Sequence, residues 1–124
     1  MMARHAHVEG LVLVSVNYRK GPEVKCPGGQ QDFATAVEHV YNNADSFGVD
    51  KNMICTSGVS GGGWICLGAS HLLTKANKQH MVKMQMLWTP MLSNETAKVP
   101  KEQWRPEEND GAEMFKLLAT NYDG

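Results

Sequence analysis

Gly58-Val59-Ser60-Gly61-Gly62 fits the pattern G-x-S-x-G, in which a serine hydroxyl is raised on a tight turn to act as a nucleophile. A chance match is expected about 0.05 times in a chain of this composition, so the five letters alone carry little weight. Their setting adds more. Met53-Ile54-Cys55-Thr56, just upstream, reads as a short apolar strand, and residues 64–75 read as a helix. Strand, turn and helix in that order are what the motif needs to lift the Oγ of Ser60 above the carboxyl end of a parallel sheet. A serine on so sharp a bend is strained, and small neighbours at Gly58, Gly61 and Gly62 are expected to relieve the crowding. The N–H of Gly61, next to the nucleophile at a helix N-terminus, is the expected donor to an oxyanion.

Other readings of the same glycines fail on particular residues. Residues 58–63 have the G-x-x-x-x-G spacing of a phosphate loop, but Trp64-Ile65 follows where Lys-Ser/Thr is required. A dinucleotide fingerprint needs glycine where Ser60 stands. A glycine turn that tightens the chain and does no chemistry is the remaining plain alternative.

The elements that must position Ser60 are legible from periodicity. Residues 11–16 form an unbroken aliphatic run, predicting a strand buried on both faces. Turn residues follow, in Lys20-Gly21-Pro22 and Cys26-Pro27-Gly28-Gly29. Phe33, Ala36, Val37, Val40, Tyr41 and Ala44 then recur at spacings of three and four, predicting a helix over about 31–46. Asp32 suits the positive end of its dipole, and Gly48 suits its C-terminal stop. In the helix over 64–75, Ile65, Leu67, Leu72 and Leu73 are expected to face the sheet, and residues 82–88 predict a third strand. The order β-α-β-α-β implies parallel pairing through right-handed crossovers. Residues 93–108 are polar and broken by Pro100 and Pro106, with Trp104 between them. Met114, Leu117 and Leu118 return to helical spacing over 111–121.

Composition narrows the function classes. The 124 residues are 42% hydrophobic and 20% charged, with a formal net charge of −1. That balance gives no footprint for nucleic acid, and no apolar run approaches the ~20 residues of a membrane span. One domain is expected. Cys26, Cys55 and Cys66 form no CxxC pair, which favours reduced thiols and a cytoplasmic setting. Cys55 and Cys66, in apolar contexts, read as buried and inert. Met81, Met84, Met86 and Met91 read as core filling around the third strand, and no metal site or cofactor is predicted.

Further matches occur in order along the chain. Val14-Ser15-Val16-Asn17-Tyr18-Arg19-Lys20-Gly21-Pro22-Glu23 stands beside V-S-V-D-Y-R-L-A-P-E, and Pro27 with Asp32 beside P-x₄-D. Phe47-Gly48-Val49-Asp50-Lys51-Asn52-Met53 stands beside F-G-x-D-x-x-R-I. Ser57-Gly58-Val59-Ser60-Gly61-Gly62 stands beside S-G-D-S-A-G-G, and Leu87-Trp88-Thr89-Pro90-Met91-Leu92 beside L-I-Y-P-M-L. From about residue 10 to 92 the chain thus resembles the hormone-sensitive-lipase-like, fold-3 branch of the α/β-hydrolases. Val59 departs from the acidic residue usual before the serine, and Gly61 from alanine.

The resemblance implies a partial α/β-hydrolase, a parallel β-α-β-α-β core with helices on its faces. It comprises a single partial domain over 1–124, with its core at 10–92 and a loop and helix at 93–124. It implies a serine hydrolase of small-molecule carboxylic esters, with Ser60 as nucleophile, Gly61 as oxyanion donor and Gly58 and Gly62 shaping the elbow. The family orders its triad as serine, acid, histidine. After Ser60 the histidines are His71 and His80, with no Asp or Glu between Ser60 and His80. His71 falls about 16 Å down the following helix. His5, His7 and His80 fall near strand starts, His39 falls mid-helix, and nothing like the family's H-G-G-G precedes Gly10. The expectation is a central fragment, inactive by itself. The alternative is a catalytically inactive remnant or interaction module. Unpaired sheet edges predict self-association.

Overall fold

A computed structural model describes residues 10–92. The predicted loop and helix beyond residue 92, with Trp104, and the pair His5 and His7 lie outside that range. In chain order the described elements are helices α1 (Gly28–Asn42) and α2 (Ala44–Phe47), strand β1 (Cys55–Val59), helix α3 (Gly61–Lys75) and strand β2 (Met84–Trp88). Short 3₁₀ turns at Lys51–Met53 and Gln79–Met81 precede the two strands.

The strands pair in parallel, Cys55 opposite Met84 and Val59 opposite Trp88, with α3 as the crossover between them. Both helices of the expected alternation form. The first begins at Gly28 and breaks at Asn43, where the Asn43 side chain donates to the His39 carbonyl at 2.8 Å. It resumes as α2 and stops at Gly48, whose left-handed backbone (φ 66°, ψ 33°) lets the chain turn while its N–H donates to the Asp45 carbonyl. Asp32 does not sit in the first turn of α1; it pairs with Arg19 instead.

Residues 11–16 differ from expectation. They join no ladder, and Leu11, Val12, Leu13 and Val14 are exposed. A strand is defined by the neighbour that takes its N–H and C=O groups. Among the described residues β1 pairs with β2, and nothing pairs with 11–16. β1 also runs three residues further than predicted, to Val59, straight into the elbow.

The core lies between the helices and one face of the sheet. Ala34 and Val37 of α1 meet Ala69 and Leu73 of α3 and Met81, with Phe33, Tyr41 and Val82 packed around them. Small residues permit this closeness: a Cβ on Gly68 would strike the buried side chain of Gln30. Leu67 points to solvent, contrary to expectation, because α3 turns Ile65, Cys66, Ala69 and Leu73 inward. Of the four methionines expected in the core, Met81 is buried, whereas Met84 and Met86 are exposed on the sheet face away from the helices and Met91 is half-buried. Cys55 shares that open face and is exposed, not buried as expected; Cys66 is fully buried.

Three side-chain links lock the layers. The Gln85 amide nitrogen reaches Thr56 Oγ1 at 3.1 Å, the Cys66 carbonyl at 3.2 Å and Ser70 Oγ at 2.6 Å, joining β2, β1 and α3. Lys78 Nζ donates to Glu38 at 2.7 Å, and Tyr41 meets His80 edge-on. No helix among the described residues is long and apolar enough to cross a membrane.

Candidate active site

Ser60 joins β1 to α3 and carries a backbone that a residue with a side chain rarely adopts, φ 52° and ψ −119°. Such a conformation costs of order 1–3 kcal/mol and persists only where the surroundings impose it. The surroundings here are explicit. The Ser60 N–H donates to the Trp88 carbonyl at 2.9 Å, and its carbonyl accepts from Trp64 N–H at 3.2 Å and Met91 N–H at 3.4 Å. Three segments therefore hold one residue: the end of β2, the first turn of α3 and the chain leaving the sheet.

The hydroxyl itself is left available. Ser60 is exposed and makes no side-chain cap to α3, the usual use of a serine at a helix start. It stands at the carboxyl end of both strands. The first N–H groups of α3, including that of Gly61, have no partner within the helix and lie at the positive end of a 15-residue dipole.

The glycines divide by crowding. A Cβ on Gly58 would sit on the carbonyl of Gly62 and 2.6 Å from the nitrogen of Gly63, so no side chain fits there. Gly61 and Gly62 have open space where a Cβ would go, and crowding is not the reason for glycine at either position. The second tight position is Gly63, which the pattern did not single out: its Cβ would lie 2.9 Å from Pro90. Thr89, also at positive φ (43°), turns the chain so that Pro90 meets Gly63 and Met91 reaches Ser60. The match of Leu87-Trp88-Thr89-Pro90 to its family segment was the available signal for this buttress.

The described histidines are not brought to Ser60. His39 packs edge-on to Phe47, His80 lies before β2 against Tyr41, and His71 is exposed ten residues into α3. A general base must come within about 3 Å of the hydroxyl. The shallow groove lined by Thr74, Gln79, Val82 and Gln85 lies at the opposite end of the sheet from Ser60. Among the described residues no three His, Cys, Asp or Glu side chains gather where a metal ion would sit.

Two electrostatic features flank the elbow. Arg19 grips Asp32 through Nε and Nη2 at 2.7–3.1 Å, while its backbone N–H donates to the same carboxylate at 2.9 Å. These hydrogen bonds hold the Asp32 carboxyl below its ordinary range. The clamp fixes residues 18–19 on α1, where a Cβ on Gly29 would meet Tyr18, the Arg19 carbonyl and Ile65 of α3 together. Beneath the elbow, burial pushes the Cys66 thiol up, and its protonated Sγ donates to the Ser57 carbonyl at 3.3 Å.

A family model described as the alpha/beta hydrolase fold matches residues 1–122. An AB hydrolase superfamily protein of Schizosaccharomyces pombe is 34% identical over 79% of this chain and 29% of its own length. A carboxylesterase of Mycobacterium tuberculosis is 36% identical over 68% of this chain and 27% of its own. A hyperthermophilic esterase from Pyrobaculum calidifontis superposes with a TM-score of 0.80 at 27% identity, over 96% of this chain and 40% of the solved one. The chain spans between 20% and 29% of the length of the first curated relatives it matches.

Proposed function

The chain belongs to the α/β-hydrolase fold family, in its hormone-sensitive-lipase-like branch of esterases, and from that premise we propose that it carries the nucleophile of a serine hydrolase acting on carboxylic esters. Ser60 is the nucleophile, the Gly61 N–H is an oxyanion donor, and Gly58 gives the elbow its room. The observation that carries this reading is the backbone of Ser60, held at φ 52° by three segments while its hydroxyl caps nothing.

In the reaction so assigned, Ser60 Oγ attacks the ester carbonyl carbon and gives up its proton to a base. The carbonyl oxygen becomes an oxyanion facing the α3 N-terminus. Collapse expels the alcohol, which takes a proton, and water then cleaves the acyl-serine to the acid. The base and its acid partner are supplied in the complete homologue by residues outside the described range. An elbow and oxyanion donor alone retain a residual share of reactivity. The test is prolonged treatment of the chain with a fluorophosphonate and mapping of the adducts by mass spectrometry. Ser60 is expected to label at least about tenfold faster than Ser15, an exposed serine on ordinary backbone. Equal labelling of the two would sink the nucleophile assignment.

The placement of the described histidines favours a second reading for the chain taken alone, a fold-retaining remnant or interaction module that does not turn over ester. Under it, hydrolysis of p-nitrophenyl acetate by the wild-type chain matches that of Ser60→Ala. A rate clearly above that variant's rejects it. The outer edges of β1 and β2 have no ladder partner among the described residues, and self-association through them is expected as concentration-dependent sedimentation.

A further inference from the structure

The last ladder pair is Val59 with Trp88, and one further step of the same register sets Ser60 opposite Thr89. A regular parallel ladder would give Ser60 two bonds at that step. Its N–H would go to the carbonyl of residue 88, and its carbonyl would accept from the N–H of residue 90. The first bond is made, at 2.9 Å to Trp88. The second is impossible, because residue 90 is proline and has no N–H.

The chain makes a detour instead. Thr89 takes φ 43°, an outlier for a β-branched residue, and more so before proline, where extended backbone is favoured. The turn passes over Pro90 and brings the next amide, that of Met91, to the Ser60 carbonyl at 3.4 Å. It also lays Pro90 on α3, where a Cβ on Gly63 would lie 2.9 Å from the proline Cβ and 3.2 Å from its Cα. The Thr89 side chain is exposed, so its burial does not account for the strain. Two strained residues thus face each other where the ladder ends, Ser60 at φ 52° and Thr89 at φ 43°.

We infer that Pro90 is a positioning residue for Ser60. By withholding the N–H that would continue the ladder, it ends β2 in the Thr89 turn. By lying on Gly63, it fixes the first turn of α3 against the serine. Gly61 belongs to that same turn, so nucleophile and oxyanion donor are set relative to each other from β2 as well as from the elbow. The inference rests on the nucleophile assignment for its effect on reactivity, whereas the backbone arrangement is measured apart from it.

Pro90→Ala is the test, since alanine keeps the Cβ that faces Gly63 and restores the N–H. Amide exchange in the 124-residue chain, read residue by residue, is the first measurement. In the wild-type chain the Met91 amide is expected to exchange at least about tenfold more slowly than in the urea-unfolded chain. In Pro90→Ala that protection is expected to pass to the amide of residue 90, with Met91 approaching the unfolded rate. Fluorophosphonate labelling is the second measurement. The ratio of Ser60 to Ser15 labelling is expected to fall about tenfold in the variant, while buried Cys66 stays closed to iodoacetamide and so reports an intact fold. An unprotected Met91 in the wild-type chain overturns the proposal. So does a variant in which Met91 keeps its protection, or one in which protection moves and the labelling ratio does not. If Pro90→Ala exposes Cys66, Thr89→Gly decides in its place: glycine adopts positive φ freely, so Met91 is expected to stay protected, and loss of that protection overturns the proposal. A wild-type Ser60 that labels no faster than Ser15 removes the nucleophile assignment instead, and the exchange pattern still decides the role of Pro90.

Discussion

At the scale of single residues, Ser60 is held in a conformation that glycine would adopt at little cost, and the chain keeps a serine there. Ser60→Gly is therefore expected to raise stability by about 1 kcal/mol in urea unfolding while abolishing fluorophosphonate labelling at the elbow. A loss of stability would mean that the side chain, and not the backbone, anchors the turn. The neighbouring glycines make a matched pair. Gly58→Ala forces a methyl group into the backbone of Gly62 and Gly63 and is expected to cost about 3 kcal/mol, whereas Gly61→Ala enters open space and is expected to change stability by less than about 0.5 kcal/mol. Equal effects in the same unfolding assay would contradict the crowding described. The serine and Gly58 were legible because the pattern ties residue type to backbone shape. Gly63 was not, because its reason is Pro90, a contact made only once β2 has paired.

At the scale of elements, the Arg19–Asp32 clamp joins the segment after residues 11–16 to α1. Arg19 holds the Asp32 carboxyl below its ordinary value, so the clamp contributes stability above the ordinary carboxylate range, near pH 4, and loses it as pH falls through the depressed value. Asp32→Asn is expected to flatten that part of the acid limb of a stability–pH profile, lowering stability at neutral pH by the same small amount, since the pair is solvent-facing, and matching the wild type at low pH. An unaltered acid limb would show the clamp to be energetically idle. Position in the helical pattern assigns Asp32 to the helix dipole, because an ion pair across a turn leaves no periodic trace. The helices themselves were readable, since three-and-four spacing reflects one buried face. An aliphatic run such as residues 11–16 predicts a buried strand, yet it records a preference for extended backbone and not the identity of the neighbour, and among the described residues no ladder forms there. The exposed Met84, Met86 and Cys55 repeat the point: apolar letters show what could be buried and not which layer covers it.

At the scale of the whole molecule, the described residues form one sandwich half, two helices on one side of a parallel pair. Family membership was recoverable from sequence because its segments recur in order on both sides of Ser60. The completeness of the site is not, because side chains distant in sequence meet only through topology and the chain spans a minor share of its relatives' length. The bonds to Ser60 have a consequence for how the molecule comes apart. Its amide proton is given to Trp88 and its carbonyl is shared by Trp64 and Met91, so the elbow is tied at once to β2, to α3 and to the chain that follows β2. Deuterium should therefore enter the Ser60 amide only through the opening that separates the two strands altogether, at the slowest rate seen for any amide outside the helices. An amide there that exchanges as quickly as that of exposed Gly48 would mean the elbow breathes independently of the sheet. If it is slow, a strained residue is also, outside the helices, the last of those described to let go.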